Sequence, residues 1–309
     1  MQPGTIESMI FQQSAFPFIN KIFSMKNIKY FHIGKNPEDL IKIINEFQPN
    51  IISSYPAMLR ELAYLKNKGL GDNIYPDFIG SCGSILDYPT RKYVEKTFNT
   101  NIMDIYSCTE LGPVAFQCLE KSKYHINNDF LFIEAIDDQD NLVDYKKKGS
   151  IVATRLYGYG TPIIRYKGLE DIIILDSGSC KCGINDLYIE NVYGRLTDVI
   201  ILPNGRIIPP LTITGIPGTV MDKCGVYSIK QFQIIQHDFN YIEILVIIDE
   251  SRIKSDFTKD LLFKQLKNSF NEIVGNNVNI KIREVNEIQK EKAIETIKPV
   301  ISKVKREDL

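Results

Sequence analysis

Between Pro37 and Tyr106 the spacing of apolar residues switches repeatedly between helical and extended, and this alternation constrains the fold more than any other feature. Leu40, Ile41, Ile44 and Phe47 recur at helical spacing behind Pro37, which sits where a helix starts. Residues 50–55 then read as a short strand. Pro56 opens a second helix that runs to Leu65 and stops near Gly69. Phe78–Cys82 reads as a buried strand, Tyr88–Phe98 as a third helix and residues 102–106 as a third strand. Strands separated by helices join a parallel or mixed sheet, with ligand loops at the strand C-ends.

From about Ile126 the pattern changes: residues 130–136, 150–154 and 172–175 look like strands separated by turns. Beyond Asp198 a second unit begins. Residues 199–202 are apolar and precede the turn Pro203-Asn204-Gly205, and residues 232–236, 242–248 and 278–282 read as strands. An amphipathic helix over 257–274 carries Leu261, Leu262, Leu266, Phe270 and Ile273 on one face. The expected fold class is therefore α/β: a large α/β domain over 1–198 and a small α+β domain over 199–309.

The chain has 309 residues, 44% of them hydrophobic and 24% charged, enough for a substantial core. A net charge of −1 without a basic block argues against a nucleic-acid or anionic-membrane partner. No apolar run approaches the roughly 20 residues of a membrane helix. The N-terminus is neither basic nor followed by a signal-like apolar core. Six cysteines in this length do not form a disulfide framework, so a reducing cytoplasm is the default compartment.

Tyr106-Ser107-Cys108-Thr109-Glu110 places an aromatic ring, hydroxyls and a carboxylate just beyond a strand. Such a loop can stack a base, touch a phosphate and hold Mg²⁺, a hard cation suited to carboxylate and phosphate oxygens. The alternative is a strand-to-helix junction, with Ser107 or Thr109 as N-cap and Glu110 in the first turn. Gly80–Ser84 is small enough for close backbone approach to a ligand, or is a plain turn. After Arg165-Tyr166, Glu170 or Asp171 could bind both hydroxyls of a ribose, or pair with Arg165 at the surface.

Cys118, His125 and the Cys180-Lys181-Cys182-Gly183 turn form a separate constellation. Three thiols and an imidazole suit tetrahedral structural zinc. Against this, Cys118 reads equally as a core residue and His125 as a satisfied histidine, although Cys-Lys-Cys-Gly in a polar turn is hard to explain as core. Cys82, Cys108 and Cys224 read as ordinary buried thiols, and His32 and His237 have no evident partners.

The order of Gly83-Ser84, Tyr106–Glu110, Ile164-Arg165-Tyr166 with its following acid, and Gly194-Arg195…Asp198 resembles the adenylate-forming ligases. Within them it resembles the phenylacetate–coenzyme A ligase group, which includes proteins of capsule-biosynthesis type. The resemblance spans most of residues 50–215. It implies ATP-dependent attack of a carboxylate on the α-phosphate, then displacement of AMP by a thiol, usually that of coenzyme A. By this likeness Glu110 holds Mg²⁺, Thr109 contacts the α-phosphate and Tyr106 lies against adenine, which Gly83 and Ser84 border. Asp171 or Glu170, with Arg195, holds the ribose, and Asp198 is the hinge of the small domain. Cys118, His125, Cys180 and Cys182 correspond to zinc-type elements of the same group.

The chain also departs from the family. The Ser/Thr/Gly-rich phosphate loop normally precedes these motifs, so a separate or preceding N-terminal segment is expected to supply it, and a catalytically inactive nucleotide-binding scaffold is the competing expectation. The spacing from Tyr166 to the acid is one residue longer than usual. The family's C-terminal lysine position falls on Thr296, leaving Lys298 or Lys292 as substitutes, or as solvated lysines. Tyr55, Ile105, Val114, Ala115 and Phe116 are expected to border a pocket for an apolar or aromatic acid, and a homodimer is a reasonable expectation.

Overall fold

The computed structural model describes residues 28–31, 35–121, 123–158, 160–195, 198–253, 258–289 and 297–304. Helix α1 (Pro37–Phe47) starts where the Asn36 side chain accepts the Glu38 backbone N–H, with Pro37 in the first turn, and ends at left-handed Gln48. Then come β1 (Ile51–Ser54), α2 (Pro56–Asn67), β2 (Phe78–Cys82), α3 (Tyr88–Phe98) and β3 (Ile102–Cys108). Asp87 caps α3 by accepting the Thr90 N–H at 2.9 Å. The three strands pair in parallel and align Ile52, Ile79 and Ile102 in one row. That row packs with Leu59, Leu62, Val94 and Phe98 of the helices into the first core. Alternation along the strand turns Ile51 to the other face, where it is 64% exposed.

Beyond β3 the pairing becomes antiparallel. Strands β4 (Gly112–Gln117), β5 (Tyr124–Ile126), β6 (Leu131–Ile136), β7 (Lys148–Arg155), β8 (Asp171–Ser179) and β9 (Asn185–Arg195) complete a nine-stranded sheet of order β1-β2-β3-β4-β5-β9-β8-β7-β6. Val114, Leu131, Ile133, Ile151, Ile173 and Ile189 lie in its second core. The helix considered after Tyr106 is not there. The chain turns straight back into β4, pairing Cys108 with Gly112. Strands β4 and β9 are not evident in the sequence because Gly112 and Pro113 open one and Asn185, Asp186, Glu190 and Asn191 interrupt the apolar pattern of the other.

The C-terminal unit opens with a two-stranded ribbon, β10 (Ile200–Ile201) and β11 (Ile207–Ile208), followed by α4 (Pro210–Thr214) and α5 (Ile216–Cys224). A second sheet of order β14-β13-β12-β15 combines β12 (Ile229–Asp238), β13 (Tyr241–Ile248), β14 (Asn279–Glu284) and β15 (Val300–Ser302). Helix α6 (Lys259–Val274) buries Leu262, Leu266, Phe270 and Val274 against this unit's core. Leu261, expected on that face, is 41% exposed, and Phe257 lies outside the described residues.

Two arginines join this unit to the first helices. The Arg252 guanidinium meets both Glu61 carboxylate oxygens, at 3.0 and 2.5 Å, and lies 3.7 Å from the Tyr64 ring centroid. Asp249 holds its Nε at 2.9 Å. Arg60 of α2 donates to Thr90 Oγ1 at 3.2 Å and faces Asp222 of α5 at 3.9 Å. It also lies against Tyr93 and Tyr227, whose rings stack at 4.6 Å. The Arg252 side chain is only 6% exposed, so removing it strands Glu61 in a poorly solvated place. Arg252→Ala is expected to cost about 3 kcal/mol, read as a lower urea midpoint; an unchanged midpoint would show that the contact contributes nothing.

Candidate nucleotide site and candidate metal centre

The C-terminal end of β3 delivers Tyr106, and the first residue of β8 is Asp171. The Tyr106 hydroxyl donates to Asp171 Oδ2 at 2.6 Å. In the sheet order these strands are separated by β4, β5 and β9. In a flat sheet that is about 19 Å, beyond the reach of the two side chains. The sheet therefore curls until β3 and β8 approach at this end. Arg195 closes β9 directly opposite Asp171 in register. Beside it, Gly194 has φ of +92° and lets Ile85 and Pro210 pack against the backbone: a Cβ there would stand 2.9 Å from Ile85 Cδ1 and 3.2 Å from Pro210.

The environment of Asp171 is unfavourable to its charge. Burial pushes its pKa from 3.8 up to about 6, the Tyr106 hydrogen bond and Arg195 oppose that, and Asp198 and Glu170 add to it. The Tyr106 phenol is pushed well above its ordinary value by burial and then by Asp171. Of the two acids left open by the sequence, Asp171 is buried and bonded to Tyr106, whereas Glu170 is exposed with φ of +54°.

Ser107, Thr109 and Glu110 are exposed around the β3–β4 turn. Arg155 braces that turn: Nη1 donates to the Glu110 carbonyl at 3.1 Å and Nη2 to the Thr161 carbonyl at 2.6 Å. The Tyr166 phenol is raised by burial and then by the Glu110 carboxylate beside it. Arg155 and this use of Tyr166 are missing from the sequence reading, because they follow from where β7 ends. Gly83 and Ser84 are exposed, and the Tyr55 ring sits so close to Gly83 (φ +78°) that a Cβ there would lie 2.3 Å from it. Ile105 and Phe116 are half-buried, but Val114 and Ala115 are fully buried in the second core, so they line no pocket.

Lys298 is not a freely solvated lysine: its ammonium lies 2.5 Å from Asp198 Oδ1, and its carbonyl accepts from Gln233. Thr296, Lys292 and His32 fall outside the described residues. His237 has partners the sequence did not reveal, Glu243 at 3.2 Å and Lys303 at 3.1 Å. Cys82, Cys108 and Cys224 are half-buried rather than core thiols.

At a hairpin end of the sheet, the chain gathers Cys118 from the end of β4, His125 from β5, and Cys180 and Cys182 from the β8–β9 turn. Their ligand atoms all lie within 4.8 Å of one another. Cys118 Sγ is 3.7 Å from Cys180 Sγ, and Cys182 Sγ is 3.4 Å from His125 Nε2. Tetrahedral zinc, with bonds of about 2.3 Å to sulfur and 2.0 Å to nitrogen, separates its ligands by about 3.5–3.8 Å, so the cluster fits such an ion. The Cys182 N–H, bonded to Cys180, holds that thiol below its ordinary value. Burial, then Lys123, lowers the His125 imidazole, favouring the neutral form that ligates.

The model of the CapK C-terminal domain family matches residues 204–296. Protein CapK of Staphylococcus aureus is 23% identical over 271 residues, covering 87% of this chain and 57% of that protein. The phenylacetate-coenzyme A ligase of Pseudomonas putida is 27% identical over 182 residues, 57% of this chain and 40% of that enzyme. The chain thus spans about half the length of the curated relatives it matches. Among solved structures, a 2-hydroxyisobutyryl-CoA ligase in the postadenylation state superposes with a TM-score of 0.70 at 16% identity, covering 90% of this chain and 59% of that one. An anthranilate CoA ligase in complex with anthranoyl-AMP gives 0.63 at 15% identity, over 87% and 51%. The chain has the fold of the adenylate-forming ligases.

The raised Asp171 pKa gives a stability prediction. Below about pH 3 the carboxyl is protonated folded and unfolded alike and its burial carries no ionisation cost; stability is lost as pH rises from about 4 to about 6, where only the unfolded chain ionises. Asp171→Asn should therefore stabilise the chain at pH 7 by on the order of 2 kcal/mol and leave it nearly unchanged at about pH 3. Thermal melts at the two pH values check this, and an equal effect at both would contradict it.

Proposed function

We propose that this chain carries the nucleotide-binding part of an ATP-dependent acid–thiol ligase, which activates a carboxylic acid as an acyl-adenylate and passes it to coenzyme A. The observation that carries this reading is the convergence of Tyr106, Asp171 and Arg195, with Glu110 at the neighbouring turn, at the ends of strands that the sheet's curl brings together. A base can lie against Tyr106, bordered by Gly83 and Ser84. The buried Asp171 carboxylate and Arg195 supply acceptors and donors for the ribose. Thr109 and Ser107 present hydroxyls to the phosphate. Glu110 would hold Mg²⁺ together with phosphate oxygens, and the ion supplies neutralisation of the charge on them. The half-buried Ile105 and Phe116 favour an apolar or aromatic acid.

The C-terminal unit beyond Asp198 is assigned the part of a domain that changes position between the two half-reactions, with Asp198 at the pivot. Lys298, paired with Asp198, is a lysine of this unit that could serve the adenylate, with Lys292 the alternative. Cys118, His125, Cys180 and Cys182 are assigned a structural zinc ion, which fixes the β8–β9 turn against the β4–β5 turn. Their free thiols suit a reducing cytoplasm. A second reading, a nucleotide- or coenzyme A-binding scaffold without ligase activity, draws on one observation: Lys298 is held in an ion pair.

Titration of the full chain with AMP and with Mg·ATP in a calorimeter tests the site. Micromolar binding of AMP, lost in Asp171→Ala, and Mg·ATP binding weakened about tenfold in Glu110→Gln are expected. No heat with either nucleotide, from folded protein, would remove the nucleotide site. Freshly purified chain is also expected to contain about one zinc ion, and Cys182→Ser to lower metal content and melting temperature together. Metal-free protein with an unaltered melt would end the zinc assignment.

A further inference from the structure

Asp171 accepts from Tyr106 through Oδ2 alone, so its second oxygen has a defined place to look. We infer that the Tyr106 hydroxyl is a positioning residue: by fixing one oxygen of the Asp171 carboxylate it leaves Oδ1 as the acceptor for the vicinal diol of a nucleoside monophosphate. The inference rests on the nucleotide reading above but assigns the hydroxyl a task separate from any contact between the ring and a base.

The geometry requires such a device. A carboxylate has two oxygens and one rotatable bond to its Cβ, and it can receive a diol squarely only if that torsion is held. Asp171 is buried, and it sits at the first position of β8 where the chain enters the sheet. The charged groups facing it are Arg195 from the end of β9, Asp198 just beyond, and Glu170 from the preceding turn. Two of those three are acids, which favour protonation. A protonated Asp171 would bring a donor to a site that must accept from two hydroxyls. The Tyr106 hydrogen bond therefore orients the group and opposes its protonation, and Arg195 is left to do the second job alone when the hydroxyl is removed. Cys108 also lies near enough to the phenol to oppose its ionisation.

Tyr106→Phe keeps the ring and removes only the hydroxyl. The full chain and this variant are titrated with AMP and with 2′,3′-dideoxy-AMP, which lacks the diol, from pH 5.5 to 8.5. Tyr106→Phe should weaken AMP about tenfold at pH 7 and the dideoxy nucleotide less than about twofold. AMP affinity of the unsubstituted chain should fall as pH drops through about 6, and in the variant that fall should begin at higher pH. Asp171→Asn should bind AMP with no such pH dependence. Equal losses for both nucleotides, or an unshifted pH profile, in a variant whose melt matches the unsubstituted chain, would overturn the inference while leaving the nucleotide site standing. If the unsubstituted chain binds neither nucleotide, the nucleotide reading and this inference fall together.

Discussion

The curl of the nine-stranded sheet is the constraint on which the rest of the molecule depends. Three parallel strands under helices would by themselves make an open, twisted layer whose edges stay far apart. The antiparallel strands that follow return the chain until β8 faces β3, and the 2.6 Å bond between Tyr106 and Asp171 marks where the two ends of that path meet. Without the curl, the tyrosine would be a surface aromatic and the acid an ordinary exposed carboxylate. With it, the acid is buried and its charge is supported by the Tyr106 hydroxyl and the Arg195 guanidinium. A buried carboxylate of this kind lowers stability at neutral pH, and such costs concentrate where a site has chemistry to perform.

The Cys/His cluster and the arginine contacts act on the same path at other points. The β8–β9 turn is long and polar, and little apolar surface holds it. Gathering Cys180 and Cys182 against Cys118 and His125 provides a connection that hydrophobic burial does not. Lys121 paired with Glu95, and Lys123 donating to the Ser179 carbonyl while lying 3.6 Å from the Tyr188 ring centroid, tie the β4–β5 turn to α3 and to that hairpin. On the other side of the molecule, Arg60 and Arg252 join the C-terminal unit to α2 and α3 through planar groups that stack on tyrosine rings as well as pairing with acids. The Lys298–Asp198 pair is a third contact of that unit, made close to its start.

Much of this was legible residue by residue. The helices over 37–98 follow from helical spacing after proline and capping residues, and the strands between them from short apolar runs. The metal-type residues stood out because Cys-x-Cys-Gly in a polar turn has no role in a core. Other parts were hidden for identifiable reasons. β9 has too many polar residues to alternate cleanly, and β4 opens with glycine and proline. Val114 and Ala115 looked like pocket residues by proximity in sequence, but strand register turns them into the core. In the sequence His237 reads as unpartnered because Glu243 lies across the β12–β13 hairpin, and that pairing is fixed by register rather than by motif.

The sequence alone determined the alternation that forces a parallel start, the separate C-terminal unit, and the identities of the acids, tyrosines and thiols available for chemistry. Local spacing and capping decide these, because they depend on neighbours within one or two turns of chain. Only the tertiary structure decided which acid is buried, which of its oxygens accepts from Tyr106, that Lys298 meets Asp198 and that Cys118, His125, Cys180 and Cys182 converge. Those outcomes depend on how far the sheet bends and on which residues fall opposite one another across strands distant in sequence, and no local pattern specifies either.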